Sequence, residues 1–170
     1  MHRPERPRQA FSLIEIVLAL AVIAFALVGI MGMFPVAMRS AQESQRETRA
    51  TFIAQQIFSD LRSGSGTNRV LVATNAQPPG TSGLVTIGLN TNGSNYFIGF
   101  DANGQPVGPL AAAAFTDGTA DVAISFAARV AVNTNTGLSN LSRVETTVET
   151  PAAAPSTNRS RYSFVTLMNY

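Results

Sequence analysis

The side chain that could do the most chemistry is Glu15, the only charged residue between Phe11 and Met38. It sits near the start of an otherwise apolar run long enough to cross a bilayer, which takes about 20 residues. An ionised carboxylate in that setting costs roughly 2.5–3.5 kcal/mol on insertion scales. It therefore needs a cationic or hydrogen-bonding partner, and such residues commonly mark function.

Few other residues offer chemistry. The sole histidine is His2, and cysteine and lysine are absent. The chain beyond residue 10 thus lacks the usual general base, thiolate nucleophile, Schiff-base amine and common zinc ligands. A carboxylate pair could still hydrolyse glycosides. However, Asp101, Asp117, Asp121, Glu145 and Glu149 fall in no recognisable motif, and Glu145 and Glu149 read as solvent-facing charges on one strand. Asp101-Ala102-Asn103-Gly104-Gln105 carries part of a calcium-loop pattern without its closing bidentate Glu, and reads as an Asn-Gly turn. The expectation is a non-enzyme without cofactor or metal.

The high isoelectric point does not signal nucleic acid. Every one of the twelve cations is Arg, and Arg3, Arg6 and Arg8 lie in the first ten residues beside Glu5. Residues 11–170 carry equal numbers of each sign, so no basic stripe is left to track a phosphate backbone. The leading arginines read instead as a topology signal that keeps the N-terminus cytoplasmic and the C-terminal part outside. A secretory signal fits poorly, because the apolar stretch is too long and the small residue Ala10 precedes it. A plain single-span anchor carrying a binding module is the competing class, and it leaves Glu15 without a role.

Gln9-Ala10-Phe11-Ser12-Leu13-Ile14-Glu15-Ile16-Val17-Leu18 resembles the class III signal of type IV prepilins and type II secretion pseudopilins. Phe34–Arg39 and Ala54–Arg62 are similar to the next part of the helix in minor pilins and pseudopilins. A narrower resemblance is to the prepilin-like Verru_Chthon cassette protein B group. The family usually has Gly before the cut, where this chain has Ala10. The resemblance implies that a prepilin peptidase cuts between Ala10 and Phe11 and methylates the new amino group. That ammonium, from the same or a neighbouring subunit, then becomes the partner of Glu15. The implied partners are other pilin or pseudopilin subunits, an inner-membrane assembly platform and, before assembly, lipid. A minor pilus subunit and a cargo-moving pseudopilin remain alternatives within the family.

The elements that must position these residues are set by periodicity. Residues 1–10 form a leader, 11–38 a membrane or filament-core helix, 39–63 its amphipathic continuation, and 64–170 a β-rich head. Gly29 and Gly32 allow close helix approach, and Pro35 removes a backbone donor and should kink the helix near Met31–Gly32. Ala50, Ile53, Ala54, Ile57, Phe58 and Leu61 make one apolar stripe. Ser63-Gly64-Ser65-Gly66 ends the helix, whose length at ~1.5 Å per residue is roughly 75 Å. Strands are expected at Val70–Ala73, Leu84–Leu89, Tyr96–Phe100, Asp121–Val132, Leu141–Glu149 and Arg161–Met168, with Pro151–Pro155 a connector or surface loop. The expected class is α+β: a long kinked helix whose second half packs on a small antiparallel sheet.

Overall fold

The computed structural model describes residues 12–72, 83–134 and 140–170. The chain separates into two compact units, Met1–Ser44 and Gln45–Tyr170. The first consists, in its described part, of the apolar half of helix α1 (Leu13–Ser63). Helical structure runs unbroken past Gly29, Gly32 and Pro35. Every described residue from Ser12 to Arg49 is exposed to solvent.

The second unit is α+β. From Gln45 onward α1 becomes amphipathic, and Ala50, Ile53, Ala54, Ile57 and Leu61 are buried while Phe52 points outward. Strands β1 (Asn68–Val72) and β2 (Leu84–Gly88) form a two-stranded antiparallel sheet. The main sheet is antiparallel, in the order β4-β3-β5-β6-β7. Its strands are β3 (Ser94–Phe100), β4 (Pro106–Pro109), β5 (Phe126–Asn133), β6 (Leu141–Thr150) and β7 (Ser160–Asn169). β6 and β7 pair along their whole length, from Leu141↔Asn169 to Thr150↔Ser160.

Alternation decides which side chains meet the helix. Phe126, Ala128, Val130 and Val132 of β5 join Val144 and Val148 of β6, Ile98 and Phe100 of β3, and Met168 of β7. Ile53, Ile57 and Leu61 of α1 pack into this cluster, together with Ile87 and Leu89. Tyr162 and Phe164 lie at its margin, as the β7 alternation predicts.

The opposite face is partly covered as well, which the sequence pattern did not indicate. A short helix α2 (Ala112–Asp117) sets Phe115 against Val107, Ile124, Ala127 and Ala152. The all-Ala run favours the helix. Gly118 closes it at φ 75° in the left-handed region, where a Cβ would stand 2.4 Å from the carbonyl carbon of Ala154. Three expectations are corrected here. β5 begins at Phe126 instead of Asp121, because Asp121 caps a turn: its Oδ1 accepts from Ala123 N at 3.1 Å and its carbonyl from Ile124 N at 2.9 Å. That turn lays Ile124 on Gly99, where a Cβ would come within 2.7 Å of Cδ1. Pro151–Pro155 is the expected connector, leading from β6 toward β7, but not wholly a surface loop, since Ala152 is buried in the second cluster. Finally, β4 falls outside the expected strands; its two prolines suit only an edge strand, and it occupies one.

The core makes a simple contrast. Ile57→Ala should cost about 2–5 kcal/mol in denaturant unfolding. Phe52→Ala, on the same helix but 65% exposed, should change stability by no more than about 0.5 kcal/mol.

Candidate functional site

Ala10 and Phe11 lie outside the described residues. Glu15 falls in the first turn of α1. The Ser12 carbonyl accepts from Glu15 N at 3.0 Å and from Ile16 N at 3.3 Å, so Ser12 stands at the helix N-cap. Ser12-x-x-Glu15 therefore has the spacing of a capping box, a second meaning for this carboxylate that its charge alone does not convey. A carboxylate at this end of a helix also gains about 0.3–1 kcal/mol from the macrodipole. That is less than the ~2.5–3.5 kcal/mol a membrane interior would exact, so the helix end alone does not settle the charge.

Beyond Glu15 the segment is chemically uniform. Leu13, Ile14, Ile16, Val17 and Leu18 begin an exposed apolar series that continues to Met38. A Cβ placed on Gly29 or Gly32 would meet nothing within 4 Å, so nothing among the described residues requires glycine at either position. The helix is long and apolar enough to cross a membrane.

In the head, the acidic residues do not converge. Asp101 closes a turn, its Oδ1 accepting from Asn103 N and Gln105 N, each at 2.8 Å. This is the turn expected at that position. Glu145 pairs with Arg143 across 3.6 Å at the surface. Among the described residues no group of three or more His, Cys, Asp or Glu side chains is placed to hold a metal. Burial pushes the Asp60 carboxyl above its ordinary value. Burial thus disfavours the ionised form, and stability falls as pH rises from the ordinary carboxylate range through that raised value.

Glu149 corrects the reading of a solvent-facing charge. Only 3% of its side chain is exposed, and it receives two arginines. Arg159 Nη1 donates to Oε2 at 3.2 Å and Arg161 Nε to Oε1 at 2.8 Å. Arg159 also donates from Nε to the Ala154 carbonyl at 2.6 Å and from Nη2 to the Ala152 carbonyl at 2.8 Å. Its guanidinium carbon lies 5.1 Å from the centre of the Phe115 ring. The group ties the Pro151–Pro155 segment to the sheet and to α2. Strand alternation could place Glu149 on the outer face, but not show that α2 and Ala152 cover that face there.

Glu149→Ala should therefore cost about 3–5 kcal/mol in chemical denaturation, because Arg159 is left buried without its counter-charge. Arg161→Ala should cost no more than about 1 kcal/mol, since its side chain is 56% exposed. Compared with known proteins, the chain matches no family model, no curated protein and no solved structure.

Proposed function

We propose that this chain is a structural subunit of a type IV pilus-like filament, a minor pilin or pseudopilin, assembled through its N-terminal helix. The observation that carries the reading is an apolar helical segment from Leu13 to Met38, exposed throughout, whose single charge is Glu15 at its start. A membrane anchor needs the apolar length but not the carboxylate. A filament core uses both.

In this mechanism a prepilin peptidase cuts after Ala10 and methylates the amino group of Phe11, which keeps its positive charge. Before assembly the helix sits in the inner membrane with the head outside the cytoplasm. Glu15 then meets the ammonium of Phe11, in its own subunit or the next. Desolvation cancels much of the Coulomb gain of such a pair, so its main effect is on register. A subunit displaced by one step leaves both charges unpaired in an apolar surrounding. The small residues Gly29 and Gly32 let neighbouring helices approach, and Pro35 lacks the N–H that would hold the preceding turn, so the helix can yield there during packing. The head supplies the outer surface.

Intact-mass measurement on membranes from the native host should give residues 11–170 plus one methyl group. Ala10→Phe should leave the heavier uncut precursor. Glu15→Val should insert into the membrane normally yet be missing from sheared filaments. An uncut N-terminus with a monomeric head would instead establish the anchored binding module.

A further inference from the structure

Arg69 on β1 is a second buried arginine, and unlike Arg159 it has no carboxylate partner among the described residues. It is only 8% exposed, and its Nε and Nη1 meet no hydrogen-bond partner there. Its bond from Nη2 to the Asn169 carbonyl is long, at 3.4 Å. Buried polar groups without partners are rare in folded proteins, and an absent ion or water is a common reason. Arg69 stands in the wall of a cleft of about 250 Å³, with Arg62, Leu61, Leu167, Met168 and Asn169. Among the described residues no acidic side chain lines it. Arg62 reaches across to Thr166 Oγ1 at 3.0 Å, which sets a second guanidinium at the cleft.

We propose that this cleft binds an organic carboxylate on a short apolar stem. Two arginines without a counter-charge call for an anion, and the planar guanidinium matches a carboxylate's paired oxygens. Of the apolar lining residues Leu61 and Met168 are buried in the core, and Leu167 presents an exposed hydrocarbon side chain at the cleft. Leu167 gives a short hydrocarbon stem a contact that sulfate or phosphate, with polar oxygens on all sides, would not use. The cleft is smaller than the roughly 300–1,000 Å³ of sites for larger ligands, so the stem is short. Gly64 is part of the construction. A Cβ there would stand 2.9 Å from Arg69 Cδ and 3.4 Å from Nη1, displacing the side chain that the site depends on.

The test uses the full chain in detergent micelles, with sodium propionate as the probe and sodium chloride at matched ionic strength as the control. Propionate should shift the Arg69 Nε–H resonance in a saturable way, and sulfate should not. Arg69→Lys should weaken propionate binding in calorimetry by roughly ten- to a hundredfold, the worth of one hydrogen bond to a charged group. Gly64→Ala should weaken it although the Arg69 guanidinium is still present, and Arg129→Gln, on β5 and separated from β7 by β6, should not. N-acetyl-glutamate amide separates the two sources of the same group. Tighter binding than propionate assigns the site to an acidic side chain of a protein partner, and weaker binding assigns it to a free acid. If the Arg69 resonance responds to no anion, water fills these donors and the proposal is overturned. A response to sulfate equal to that of propionate overturns it as well. The resonance is read in the unmutated chain, so a variant that fails to fold does not shelter the idea.

Discussion

Apolar surface that its own chain leaves uncovered is the constraint on which the rest depends. Seventeen large apolar side chains between Leu13 and Met38 are exposed. Covering one such side chain is worth about 1.5–3 kcal/mol, so the segment as a whole would gain a few tens of kcal/mol on leaving water. A folded domain is stable by only about 5–15 kcal/mol. No adjustment within the head could offset exposure on that scale. The helix is long and apolar enough to cross a membrane, and cover by lipid or by other protein is what would distinguish an anchor from a filament core.

One carboxylate breaks the uniformity of this surface, and its position limits what it can do. In the first turn of α1 Glu15 complements the helix dipole and has the capping-box relation to Ser12. Those effects would serve any helix that starts here, so they do not by themselves require an assembled partner. They are also too small to offset burial in hydrocarbon. The polymer reading rests on that remainder: once neighbouring helices cover this end, a charge-assisted partner is required, and an amino group at Phe11 would lie four residues away in sequence.

The sequence made the helix legible because composition and period agree over many turns. Ala50, Ile53, Ala54, Ile57 and Leu61 are buried as the stripe requires, and the helix ends at Ser63, before the glycines. The inward faces of β5 and β7 were also legible, since alternation of large apolar side chains leaves one solution. The second layer was not. Its elements are an Ala-rich helix of one and a half turns and a strand bounded by prolines, and neither has a hydrophobic period long enough to read. Asp121 shows the competition directly: an Asx turn takes residues that alternation would have assigned to β5. Of the exposed apolar segment, Glu15, Gly29, Gly32 and Pro35 were visible as residue types. In the proposed filament their roles would depend on neighbouring helices.

Glu149 and Arg69 are hidden from sequence reading by the same cause, and they differ in a useful way. Both are charged residues in strands, and charge in a strand ordinarily marks the solvated face. Glu149 is buried because α2 and Ala152 cover the outer face, and its oxygens are satisfied by Arg159 and Arg161. There, burial and pairing are complete within the chain, and the cluster acts as a clip on the Pro151–Pro155 segment. Arg69 is buried where β1 passes the end of α1, and two of its nitrogens remain unmet among the described residues. A guanidinium does not escape that cost by losing its proton, because it stays charged at every physiological pH. Among the described residues, then, Arg159 is completed from within the head and Arg69 keeps unmet donors. Only the second has donors left over for recognition.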